Sequence, residues 1–149
     1  MNRKEFITAC SRCSLGLLIA PALLEACAST KYVHAPIVDS DLMVSLSDFE
    51  IIKNETVQYH KYIVVQHDSL QFPICVYRLS PESYSALWMQ CTHQGTELHV
   101  FGDRLQCPAH GSEFNNRGQV RSGPANTSLR TFPVILSNNE LFIDLRKQS

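Results

Sequence analysis

The sequence predicts an all-β domain, an antiparallel sandwich or barrel, and three observations lead there. Short runs rich in β-branched and aromatic residues recur between residues 42 and 145. Turn-forming residues separate them, and no helical period is sustained anywhere in that region. Beyond the first 26 residues, the glycines (Gly95, Gly102, Gly111, Gly118 and Gly123) all fall in one stretch, which marks a block of loops with tight backbone geometry.

The chain starts with a segment of a different kind. Arg3 and Lys4 precede an almost wholly apolar run from Cys13 to Leu24, the pattern of an export signal. That run falls short of the ~20 residues a bilayer-spanning helix needs. Leu24-Glu25-Ala26-Cys27 resembles a bacterial lipoprotein box, with Glu25 departing from the small or apolar residue usual there. Arg3-Lys4-Glu5-Phe6-Ile7 resembles a relaxed twin-arginine signal, a route that exports folded proteins. The expectation is a signal peptide over residues 1–26, lipidation at Cys27, a tether over 27–40 and one domain over 41–149. Cys10 and Cys13 form a C-x-x-C pair, but inside the leader and without a βαβ context. Removing the leader leaves ten basic and twelve acidic residues, so no basic stripe suggests nucleic acid as a partner.

Within the domain, strands are expected at 42–46, 61–66, 74–79, 84–89, 131–136 and 141–145. Ser80-Pro81-Glu82, Gly102-Asp103 and Ser137-Asn138-Asn139 supply turns. Residues 97–101 and 104–106 read as a hairpin about Gly102-Asp103. Cys75 lies between Ile74 and Val76 and reads as a small buried hydrophobe, Trp88 as core, and His99 as a strand-surface residue. His34, His60 and His67 have no partner at metal spacing.

The chemistry concentrates on either side of that hairpin. Cys91-Thr92-His93 is a C-x-H pair, and Cys107-Pro108-Ala109-His110 a C-x-x-H pair. Two soft thiolates and two imidazoles suit zinc or an iron-sulfur centre. Zinc fingers set their cysteines together and their histidines together, whereas each short pair here mixes the two types. No Ser-His-Asp set, paired carboxylates or glycine-rich phosphate cradle is evident.

Cys-Thr-His-Gln-Gly at 91–95, Cys-Pro-Ala-His-Gly-Ser at 107–112 and Gly123-Pro124-Ala125 resemble the Rieske iron-sulfur family over residues 42–145. The resemblance implies one [2Fe-2S] cluster in a small subdomain, with two loops as the binding elements. Cys91 and Cys107 would hold one iron, and His93 and His110 the other. Gly95, Gly111, Ser112, Phe114, Gly123 and Pro124 would surround the cluster. Replacing two thiolates by neutral imidazoles removes negative charge and eases electron entry, in line with ~ -150 to +300 mV against ~ -400 mV for plant-type ferredoxins. The implied function is one-electron transfer at the periplasmic side of a bacterial membrane. The partners would be redox proteins, or a quinol-oxidising or exported molybdenum-enzyme complex of which the chain is a subunit. On its own it would not be an enzyme.

The chain departs from the family's cytochrome bc and b6f members at three positions. Thr96 and Ala109 stand where those proteins carry a disulfide between the ligand loops. Phe114 stands where they carry a tyrosine that donates to a cysteine sulfur, while Ser112 matches the serine that donates to a bridging sulfide. With fewer donors on sulfur, the potential is expected in the lower half of the ~ -150 to +300 mV range.

Overall fold

A computed structural model describes residues 29–146; the expected signal peptide and Cys27 lie outside the described residues. The fold is organised around a five-stranded sheet. It contains β1 (Tyr32–His34), β6 (Tyr62–Gln66), β7 (Ile74–Ser80), β8 (Ser83–Trp88) and β13 (Thr131–Phe132), in the order β1-β6-β7-β8-β13. The strands of this sheet pair antiparallel, apart from β1 with β6.

This sheet is buried on both faces, which explains why Ile63-Val64-Val65 and Ile74-Cys75-Val76-Tyr77 are continuously apolar rather than alternating. Ile63, Val65, Ile74 and Val76 face one core, with Leu42, Phe49, Leu141 and Ile143. Val64, Cys75, Tyr77 and Leu87 face the other, with Leu98, Leu105 and Phe114. The period-2 alternation of side chains therefore feeds two separate cores from one pair of strands.

The first core is closed by a second sheet of β2 (Ile37–Val38), β3 (Asp41–Ser45), β14 (Val134–Ser137) and β15 (Glu140–Asp144), ordered β14-β15-β3-β2. Here the buried-intermediate alternation of β3 and β15 is regular, as one-sided burial requires. The run expected at 131–136 is interrupted by Pro133, which has no N–H for a ladder, so β13 and β14 join different sheets. Asn138 and Asn139, both at positive φ, turn β14 into β15.

The second core is closed by the inserted subdomain: β9 (His99–Phe101), β10 (Arg104–Gln106), β11 (Glu113–Asn115) and β12 (Val120–Ser122), an antiparallel meander between β8 and β13. The expected hairpin about Gly102-Asp103 is present, with Phe101 opposite Arg104 and His99 opposite Gln106. Gly118, at φ +81°, turns β11 into β12 against the main sheet. A Cβ there would lie 3.1 Å from Leu87 and 3.3 Å from Leu129.

Two features go beyond the sequence reading. Part of the stretch expected as a tether is strand: β1 pairs with β6 and β2 with β3, so ordered structure starts well before residue 41. A separate hairpin of β4 (Glu50–Lys53) and β5 (Thr56–Tyr59) also projects from the domain, turning at Asn54 and Glu55, both at positive φ.

Candidate metal centre

The two ligand loops leave the same end of the fold, one after β8 and one after β10. They share one backbone frame. The Cys91 N–H donates to the Thr96 carbonyl (2.8 Å), and the Gly95 N–H returns to the Cys91 carbonyl (2.8 Å). In the second loop the Cys107 N–H donates to the Ser112 carbonyl (2.8 Å), and the Gly111 N–H to the Cys107 carbonyl (3.0 Å). Gly95 at φ +77° and Gly111 at φ +80° close these turns in the left-handed region, where a side chain is strained. In each loop a cysteine starts the turn and a histidine rides on it.

The duplication brings the four expected ligand residues together as two pairs, cysteine with cysteine and histidine with histidine. Cys91 and Cys107 are each 2% exposed, and their side chains are neighbours. The His93 and His110 rings lie edge to face, their centroids 4.9 Å apart, on the solvent side. Burial pushes the Cys107 thiol up, but the His110 and Ala109 backbone N–H groups and hydrogen bonds with Cys91 and Thr96 outweigh it and hold it below its ordinary value. Donors aimed at sulfur stabilise a thiolate, the form that binds metal.

The third loop is fastened to both ligand loops. It contains the cis Gly123-Pro124 bond. The Ala125 N–H donates to Ser112 Oγ (2.9 Å), and the Thr92 hydroxyl donates to the Thr127 carbonyl (2.6 Å). Ser112 is wholly buried. Its oxygen accepts from Ala125, which leaves its own O–H to donate. Phe114 is also fully buried and packs in the second core beneath the site.

Along residues 47–133 the chain matches the family model for the Rieske [2Fe-2S] domain. The chain belongs to that family. Its cofactor is one [2Fe-2S] cluster. The cytochrome b6-f complex iron-sulfur subunit 2 of Trichormus variabilis is 26% identical over 72% of this chain and 56% of its own length. The iron-sulfur subunit 1 of the same complex from Synechocystis sp. is 36% identical over 36% of this chain and 31% of its own. The chain thus spans about half the length, or less, of these curated relatives. Among solved structures, a complex of reduced oxygenase and oxidised ferredoxin in carbazole 1,9a-dioxygenase contains a chain with TM-score 0.51 and 24% identity, covering 72% of this chain and 95% of that one, a likeness of fold.

The residues present fit such a cluster. A two-iron Rieske centre asks only two protein donors of each iron, one pair of thiolates and one of imidazoles. Buried thiols behind exposed imidazoles match that division, and Ser112 keeps a proton to donate.

The structure also shows functional residues that sequence reasoning passed over. Thr92 clamps the first ligand loop to the third, and its place inside C-x-H was the available signal. Gln90 receives the Trp88 indole N–H (3.0 Å), and its amide would lie 3.2 Å from a Cβ at Gly95. Thr96 reaches across from the first loop to the Cys107 sulfur. The remaining residues singled out in the sequence have other surroundings. Trp88 packs edge-on against Phe72 and Phe132, Cys75 is fully buried with its thiol pushed up by burial, and His99 is exposed on β9. His34 and His67 stack with ring centroids 5.7 Å apart.

Proposed function

We propose that this protein transfers single electrons, with Cys91 and Cys107 holding one iron of the cluster and His93 and His110 the other. It acts as an exported, lipid-anchored carrier at the periplasmic side of a bacterial membrane. The observation that carries the reading is the pair of matching loops, which set two buried thiols beside two solvent-facing imidazoles. When bound, the cluster supplies a one-electron couple. The protein's part is to bury the sulfur side from water, fix it with backbone donors and Ser112, and leave the imidazole edges where a redox partner can touch them. Exposed imidazoles also give a place to hold a proton as the charge of the site changes.

A second reading is that the chain serves as the iron-sulfur subunit of a membrane oxidoreductase. What favours it is the likeness to cytochrome b6-f iron-sulfur subunits. Electron paramagnetic resonance of the dithionite-reduced protein tests the ligand assignment. A Rieske-type spectrum, with average g below that of all-cysteine clusters, is expected; a silent sample containing zinc would overturn it. Isolation of the anchored protein alone, with rapid redox exchange, supports the carrier. Co-purification with a cytochrome b or a molybdenum subunit supports the complex.

A further inference from the structure

An apolar surface lies where the described chain starts. A groove of about 550 Å³ is lined by Ser29, Thr30, Ile51, Tyr59, Tyr62 and Phe101, among others. Of its lining residues Tyr59 and Phe101 are exposed, and beyond Tyr59 the exposed Ile52 (77%) and Val57 extend the apolar surface along the hairpin. Ile52 and Val57 are direct cross-strand partners on the β4–β5 hairpin, and Tyr59 follows on the same face. A two-stranded hairpin presenting β-branched side chains to solvent gains nothing by it in water. Lys31, Lys53 and Lys61 lie at or beside these residues, as do Glu50, Glu55 and Asp103.

Two strand registers place the groove, at Phe101 and Tyr62, toward the end opposite the cluster. On β9–β10, His99 and Gln106 adjoin the ligand loop, whereas Phe101 and Arg104 adjoin the far turn beside the groove. On the main sheet Ile74 pairs with Trp88, close to Cys91, whereas Tyr62 pairs with Tyr77 and Tyr77 with Ser85, at the groove. At ~3.3 Å per residue, these paths put the face roughly 10–20 Å from the ligand loops.

The chain is held to the domain as far as Thr30. The Val64 N–H donates to the Lys31 carbonyl (2.9 Å), and the Thr30 and Tyr62 hydroxyls are hydrogen-bonded (3.1 Å). From Thr30 back to Cys27 are three residues, which span at most about 11 Å. A lipid on Cys27 therefore cannot let the domain swing freely; it holds the bilayer close to the groove.

We infer that the face formed by Ile52, Val57, Tyr59 and Phe101 docks on the lipid headgroup interface of the membrane, with the ligand loops pointing away from it. The inference rests on the proposed lipid anchor at Cys27. Aromatic rings with nearby lysines suit that interface, where apolar bodies enter and amines stay wet. The docked orientation presents His93 and His110 to a partner approaching from the aqueous side.

The test uses the mature full-length protein, purified from membranes and reconstituted into phosphatidylethanolamine and phosphatidylglycerol vesicles, with or without brominated acyl chains. Two variants, Ile52→Trp and Asn126→Trp, place an indole on the docking face and on the exposed third loop. Bromine should roughly halve the emission of the first, because a docked residue sits ~5–10 Å into the headgroup boundary, and leave the second unchanged. Adding Val57→Asp to Ile52→Trp should abolish the quenching. Mass spectrometry of the N-terminal peptide reads the anchor separately. An acylated Cys27 with no quenching at position 52 overturns the docking and leaves the anchor standing. An unacylated chain with no quenching overturns both. Equal quenching at both positions overturns the orientation, and a face that is covered only when a second protein is added, unquenched in pure vesicles, assigns it to a protein partner and overturns the lipid reading.

Discussion

The hydroxyl of Thr96 faces the Cys107 thiol across the gap between the two loops, and its removal should lower the reduction potential of the cluster. Thr96 stands where related proteins carry a stapling cysteine, yet its side chain lies near enough to Cys107 to help hold that thiol below its ordinary value. Thr96→Val keeps the shape and removes the donor. A hydrogen bond to a charged acceptor contributes ~1.5–3 kcal/mol net. Only the part that grows when the electron enters alters the couple, about 1 kcal/mol. For a one-electron couple, where 59 mV is a factor of ten, this corresponds to a fall of roughly 40 mV. A redox titration followed by electron paramagnetic resonance measures it, and Thr96→Ser, which keeps the hydroxyl, should stay near the parent. A Thr96→Val protein with an intact spectrum and a potential within about 10 mV of the parent, well below that expected shift, would refute the assignment.

Phe114 bears on the same sulfurs from the buried side. The parent potential is expected in the lower half of ~ -150 to +300 mV; a titration above about +200 mV contradicts this. Phe114→Tyr should raise it by a similar ~40 mV, and should cost ~1–3 kcal/mol of stability if the new hydroxyl finds no acceptor in its fully buried site. Gly118→Ala should lower the melting midpoint, since its Cβ would meet Leu87 at 3.1 Å at a φ of +81°; strain of ~1–3 kcal/mol is expected, and an unchanged midpoint would show that the turn relaxes freely. His60 titrates below its ordinary value of 6.5, through burial first and the Lys31 charge second. The unfolded chain therefore takes the proton first, so stability is intact well above pH 6.5 and declines as pH falls through 6.5 toward the lower folded value. Thermal melts across that range should show a decline that His60→Gln reduces.

The cluster site was legible because its chemistry is local. Each loop is closed within six residues by its own hydrogen bonds, and the cysteine, histidine and glycine that build it sit side by side in the sequence. What links the loops was not legible in the same way. Thr96 meets Cys107, and Thr92 meets Thr127, only after β8, β9 and β10 have brought distant segments together. Strand calling followed the same division. β6, β7 and β8 were expected because burial forces their composition. β1 and β2 were not, because two or three residues acquire strand geometry from a partner already in place. The β4–β5 hairpin turns at Asn54-Glu55 without a glycine, and its apolar residues face solvent, so neither turn chemistry nor one-sided burial announced it.

The two cores also give the molecule its polarity. One sheet supplies side chains to both, so the inserted subdomain rests on the same β-strands that fix the frame of the main domain. Leu87 shows the consequence: it pairs with Cys75 and Thr131 in the main sheet, packs in the second core and lies against Gly118 of the subdomain. Truncation by Leu87→Ala should therefore act on both at once, at ~2–5 kcal/mol for a buried leucine. The cavity would open beside Gly118, in the same core that holds Cys91 and Cys107. The melting midpoint should fall and the cluster should be lost at a lower temperature, together in one transition. Two separate transitions, with the cluster surviving after the main sheet has melted, would show that the subdomain holds its metal independently and that the shared sheet is not what positions the site.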